Sequence, residues 1–294
     1  MKTNKWRSGE WVYDAFIHLT LLLKVVVCVG PFLNVLSKSL SADWAIIAGK
    51  VTLLPQGFTL SNMKYVATNP HFLSAFKISL LITIVGTLAS LLLTVVTAYP
   101  LSKRDLPGVN VLVLLFVITM LFSGGLIPTY LLVKQLGMLN HLSSLVVPGL
   151  VNVFNLLLIK NYYESLPESL EESARIDGAS NMRIIFRIVL PLSAPVIATI
   201  SLFYAVAYWS DWFQAMIYIN TPALKPLQLY LRDIVLEATS DPLDATRNLD
   251  QLLNLSPEGI RNATVILSTV PILLVYPFLQ KHFIKGILIG SVKG

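Results

Sequence analysis

The sequence is poor in charge. Only 13% of its 294 residues are Asp, Glu, Lys or Arg, against roughly 25% in a soluble globular domain. A chain so short of charge, and 55% hydrophobic, cannot wet its whole surface, and it reads as a membrane protein. It has one cysteine, Cys28, inside an apolar run, so an intrachain disulfide is excluded. The four histidines, His18, His71, His141 and His282, are scattered and lack metal-ligand spacing. No G-x-x-x-x-G-K-[ST] loop is present to cradle a nucleotide. Neither a G-x-S-x-G turn nor a pair of catalytic acids is found. No basic cluster carries interleaved aromatics, so the net charge of +6 reads as membrane anchoring and gives no sign of nucleic-acid binding. The expectation is a conduit with no catalytic residue, metal or cofactor of its own.

What the chain does have is long apolar runs. A helix needs about 20 apolar residues to cross a bilayer. Six spans are expected, at Ala15–Leu36, Ser74–Ala98, Val109–Phe122, Leu142–Ile159, Pro195–Ile219 and Ala263–Leu279. The fold class is therefore all-α and polytopic, with a membrane domain over 15–284 between short termini at 1–14 and 285–294. The first run follows Lys2, Lys5 and Arg7, exceeds a signal-peptide core and lacks an A-x-A site, so it reads as an uncleaved anchor. Lys24 lies mid-run. It either meets a buried partner or snorkels on its long stem, and both readings stay open. Gly124, Gly125 and Pro128 interrupt the third run. The end of a span followed by a surface helix is preferred there to a broken span. Two polar segments, Leu36–Phe72 and Asn220–Arg261, are too long for plain turns. The first holds a helix-like stretch at Leu60–Ala67, and in the second Ser256 is placed to cap a helix.

Polar residues inside the spans are candidates for a passage. Asn152 and Asn155 lie three apart and share a helical face; they either glue helices together or line a path. Tyr204, Tyr208 and Asp211 fall at i, i+4 and i+7, with Trp212 alongside. Ring faces beside an acid and an amide, Gln214, suit a sugar. The same residues would equally form an aromatic belt at the membrane surface.

One charged island stands between spans four and five, Glu168–Pro191. Glu168, Glu171 and Glu172 precede Arg175, Arg183 and Arg187, an order that suits helix dipoles. Glu171 and Arg175 are spaced for an i,i+4 pair. Ser165-x-x-Glu168 reads as a capping box, Gly178 as a break, Ser180 as a second cap and Pro191 as a stop. The expectation is helix, turn, helix outside the bilayer.

At these residues the chain resembles a known family. Glu172-Ser173-Ala174, three residues, Gly178, nine residues and Ile188-x-Leu190-Pro191 are similar to the EAA loop of permease subunits of binding-protein-dependent ABC importers. The pattern there is E-A-A-x3-G-x9-I-x-L-P, and Ser173 is the one departure. The Gly124–Asn140 stretch, the Pro55-Gln-Gly-Phe58 turn and the Gly290–Gly294 tail resemble carbohydrate-uptake members, above all those serving oligosaccharides, including acidic ones such as alginate or pectin fragments. The resemblance implies an importer permease with a coupling loop at 161–191, presenting Glu171, Glu172, Ser173, Ala174, Arg175, Asp177, Gly178 and Ala179 to an ATPase. It implies a homologous second permease, two cytoplasmic ATPase subunits that hold ATP and Mg, and an outer solute-binding protein. Lys293 and Gly294 could then reach the ATPases. Basic residues at Lys103, Arg104, Lys160, Arg175, Arg183, Arg187, Lys281 and Lys285 place this loop and both termini in the cytoplasm by the positive-inside rule. An importer for amino acids or peptides, or a self-contained secondary transporter, remains the alternative.

Overall fold

A computed structural model describes residues 8–103, 105–240 and 256–291. Lys2, Lys5, Arg7, Arg104, Lys293 and Gly294, and the stretch 241–255, lie outside the described residues, as do the side chains of Lys281, His282 and Lys285. Every regular element among the described residues is helical. Helices Tyr13–Ser39, Pro70–Leu101 and Pro257–Val275 are each long and apolar enough to cross a membrane, and three bent helix pairs bring the number of candidate spans to as many as six.

The chain divides into two units, residues 1–69 with 233–269 and residues 70–232 with 270–294. The first holds α1 (Ser8–Ser39), α2 (Asp43–Ile47) and α3 (Ser61–Thr68). It also holds the C-terminal part of α13 (Leu227–Ser240) and the start of α14 (Pro257–Ser291). The apolar window of α1 buries none of its residues within this chain, and Lys24 is exposed on it. Only the end of α1 is held: Asn34 donates to the Thr52 carbonyl at 2.7 Å and Ser37 to that of Leu53 at 2.6 Å. Asp43 accepts from the Ser256 backbone N–H at 2.8 Å. Ser256 accepts from the Gly259 N–H at 3.3 Å, the cap its position predicts. Lys38 pairs with Glu258 at 2.6 Å. α14 outruns the expected Ala263–Leu279 at both ends and reaches Ser291, within the stretch read as a tail.

The second unit is built on α4 (Pro70–Leu101). Around it stand α5 (Val109–Leu121), α6 (Leu126–Gln135), α7 (Ser143–Gly149), α8 (Val153–Glu164), α9 (Glu168–Ile176), α10 (Asn181–Leu192), α11 (Ala194–Ser210) and α12 (Phe213–Tyr218). Lipid is as apolar as leucine, so helices in a bilayer are held by close packing and polar contacts more than by burial. α4 supplies both. Ala75, Ser79, Gly86, Ser90, Thr94 and Ala98 form a buried, mostly small stripe along one side. α11 lies against that stripe so closely that a Cβ on Gly86 would stand 2.8 Å from the Tyr208 ring. Deeper packing joins Val95 and Tyr99 of α4 to Leu156 and Ile159 of α8 and Ile200 of α11.

One expected span ends as foreseen and two are interrupted. After α5 the chain turns 110° into α6, so the third run does end where Gly124 and Gly125 predict. The fourth is two helices, α7 and α8, bent by 46°. Pro148 lacks an N–H and Gly149 is a weak helix former, and Asn152 is extended at φ −94°, ψ 118°. α8 then runs past the expected Ile159 to Glu164. The fifth opens with an 85° turn between α10 and α11 and breaks at Asp211–Trp212 before α12, so Pro195–Ile219 is not one helix.

Candidate functional site

The charged island is helix, turn, helix as its sequence predicts. Glu171 and Arg175 approach to 3.8 Å at i,i+4. Gly178 takes φ +75°, a left-handed turn that glycine alone adopts without strain. Ser180 caps α10 by accepting from the Arg183 N–H at 3.4 Å. The capping box at Ser165 is not formed. Ser165 instead closes α8, donating to the Tyr162 carbonyl at 2.7 Å, and Pro167 stands at the start of α9 with no side-chain cap. The longer α8 has already claimed the serine. α10 passes through a π-helical turn at Ile185–Val189, and Pro191 lies within its last turn.

The island's residues divide into two faces. Glu172, Ser173, Arg175, Ile176, Asp177 and Gly178 are exposed, Ile176 at 86%. Ala174 and Ala179 pack against the core. Glu171 turns inward, its side chain 13% exposed. Its two carboxylate oxygens accept from Lys103 Nζ at 2.6 Å and from the Tyr99 hydroxyl at 2.9 Å.

The passage residues meet at a cavity of about 390 Å³ between α7, α8 and α11. Asn152, Asn155, Tyr204, Tyr208 and Asp211 all line it, with Gln214 beside them. Trp212 does not. It packs edge-on to Phe213 at 5.7 Å with the Arg232 guanidinium 5.1 Å over its ring, a correction to its place among the passage residues. The break at Asp211 swings the next residue off the α11 face, which unbroken periodicity could not show.

Each lining group has a stated job. The Asn152 side chain caps α8, accepting from the Asn155 N–H at 3.0 Å. The Asn152 N–H donates to the Tyr204 hydroxyl at 3.1 Å. Tyr204 shares a bond of 2.7 Å with Thr94, and Thr94 donates onward to the Ser90 carbonyl at 2.6 Å. Tyr208 shares a bond of 2.8 Å with Ser90. Both tyrosines therefore spend their hydroxyls on α4; Tyr204 is buried and Tyr208 half-buried. Asp211 caps α12 by accepting from the Gln214 N–H at 3.1 Å. Among the described residues, the side-chain amides of Asn155 and Gln214 have no hydrogen-bond partner. Among the described residues the lining thus carries aromatic rings, three amides, two of them without a partner, and one carboxylate, and no Lys or Arg. Gln214, the amide three residues after Asp211, lines the cavity with the five passage residues. A second cleft of about 450 Å³, at the α4–α5 turn, is lined by Pro100, Leu101, Leu106 and similar residues. It offers too little polar surface for a sugar.

Comparison with known proteins follows the same lines. Residues 106–238 match the family described as "Binding-protein-dependent transport system inner membrane component". The polygalacturonan/rhamnogalacturonan transport system permease protein YtcP of Bacillus subtilis (strain 168) is 43% identical over 286 residues, covering 96% of this chain and 99% of that one. Protein LplC of the same organism is 48% identical over 270 residues, covering 91% and 90%. Among solved structures, a chain of a bacterial ABC transporter involved in the import of the acidic polysaccharide alginate superposes with a TM-score of 0.89 at 30% identity, over 96% of this chain and all of the other.

Proposed function

Because the chain belongs to the family of inner-membrane components of binding-protein-dependent transport systems, we propose that it is the permease subunit of an ABC importer for oligosaccharides, acidic plant or algal polymers included. The observation that carries the substrate class is the cavity. Its aromatic lining, with the exposed Phe154 and the half-buried Tyr208, suits C–H stacking by a sugar ring. The Asn155 and Gln214 amides and the Asp211 carboxylate suit hydroxyls. The lining holds no cation, so the carboxylates of an acidic sugar find their counter-charge outside it, and this subunit reads the hydroxyl side of the substrate. The relatives named for polygalacturonan/rhamnogalacturonan and alginate support the carbohydrate reading over amino acids or peptides.

In this reading ATP and Mg are held by two cytoplasmic ATPase subunits, a homologous second permease completes the passage, and an outer binding protein delivers the sugar. Both termini and 161–191 face the cytoplasm. α9 then docks on an ATPase through its exposed face, with Glu172 and Ile176 foremost. Closure of the ATPases moves α9, and the cavity alternates between inward- and outward-facing states by rigid-body motion.

The test is affinity purification from the native membrane, followed by ATPase assay of the eluate. A second permease and an ATPase should co-elute. Binding protein loaded with oligogalacturonide should raise the hydrolysis rate, and binding protein with amino acids should not. Elution of the chain alone, without ATPase activity, would overturn the reading.

A further inference from the structure

Two adjacent glutamates on α9 face opposite ways. Glu172 is exposed, while the Glu171 side chain is 13% exposed and already has both oxygens taken, by Lys103 at 2.6 Å and by Tyr99 at 2.9 Å. Lys103 Nζ also lies 4.9 Å from the centroid of the Tyr99 ring. These three side chains form a closed triangle, and Arg175 stands at its edge, 3.8 Å from Glu171. A carboxylate so occupied is a poor acceptor for a cation arriving from another subunit, whereas Glu172 is free to receive one.

The triangle joins α9 to the last turn of α4 and the residues just after it. From Tyr99 back to Gly86, α4 is continuous helix. That is about 20 Å of stiff rod at 1.5 Å per residue. Along this length Thr94 holds Tyr204, Ser90 holds Tyr208, and Gly86 lies against the Tyr208 ring. Both tyrosines line the cavity. α9 therefore has a direct connection through α4 to the cavity wall, beside the one through the Gly178 turn.

We propose that Glu171 is a positioning residue that clamps the coupling helix to α4 through Lys103 and Tyr99, and so links ATPase movement to the cavity. The clamp rests on the coupling role proposed for α9. It assigns the two glutamates separate duties: Glu172 docks, and Glu171 transmits. Loss of the first should cost ATPase binding, and loss of the second should cost transmission with binding intact.

The experiment uses the assembled importer in nanodiscs, in a Cys28→Ser background, with a bimane probe on Val206→Cys. Val206 is exposed on α11 beside the cavity tyrosines and is not among the lining residues. Mg-ATP with the binding protein should shift the bimane emission in this parent. With Glu171→Gln or Lys103→Met, the ATPase should co-purify at the parental ratio while the shift falls at least tenfold. The charge swap Glu171→Lys with Lys103→Glu should restore more than half of it, which a general packing defect would not allow. A full shift in Glu171→Gln, loss of the ATPase from that variant, or a swap no better than either single change would each overturn the clamp. No shift in the parent would overturn the coupling role itself, and the clamp with it.

Discussion

At the scale of single residues, α4 and α11 meet with no room to spare. In Gly86→Ala the new methyl would stand 2.8 Å from the Tyr208 ring, so one helix must shift. Overpacking of this kind costs about 1–3 kcal/mol. The apparent melting temperature of the solubilised importer should fall by several degrees, and Tyr208→Ala in the same chain should recover most of the loss. Tyr204→Phe tests the hydroxyl relay. It removes the acceptor for the Asn152 N–H and the partner of Thr94. A buried donor left unpaired costs about 1–3 kcal/mol. The variant should melt lower and turn over more slowly, although its ring is unchanged. An unchanged melting temperature would mean that water replaces the hydroxyl.

At the scale of elements, the decisive features are interruptions. α7 and α8 are separate because Pro148 and Gly149 end one helix and Asn152 caps the next. α11 ends at Asp211, which caps α12. Both breaks border the cavity, and non-helical backbone at membrane depth is tolerated where it lines a cavity or is covered by protein. The turn at Gly178 obeys a related rule. Its φ of +75° is closed to proline, whose ring holds φ near −65°. Gly178→Pro should leave the chain in the membrane and abolish stimulated ATPase activity, leaving the basal rate. Stimulation equal to the parent's would remove the coupling role from this loop.

At the scale of the whole molecule, the orientation proposed from basic residues makes a direct prediction. In a Cys28→Ser background, Ile176→Cys should react with an impermeant maleimide only from the cytoplasmic side. Ala223→Cys, exposed in the turn Pro222–Leu224, should react only from the outer side. The reverse pattern would invert the topology and with it the docking surface on α9. α1 adds a second consequence. Its apolar window has no cover from its own chain, so what surrounds it is lipid or another subunit, and the choice between the two readings of Lys24 passes to the assembly.

Much of this was legible in one dimension. Scarcity of charge dictated a membrane protein, and the placement of apolar runs marked all six candidate spans. Local chemistry fixed the helix, turn, helix of the charged island, because a glycine turn, a serine cap and an i,i+4 ion pair depend only on neighbours in the chain. Five of the six candidate residues line one cavity, since polar groups in an apolar run have few other places to go. What the sequence could not decide was direction. Glu171 and Glu172 carry the same carboxylate, and they face opposite ways because Lys103 and Tyr99, about seventy residues earlier, hold one of them. Trp212 left the cavity because a helix broke at Asp211. A break redirects every side chain beyond it, and the register that results is set by packing between distant helices, which periodicity along the chain does not record.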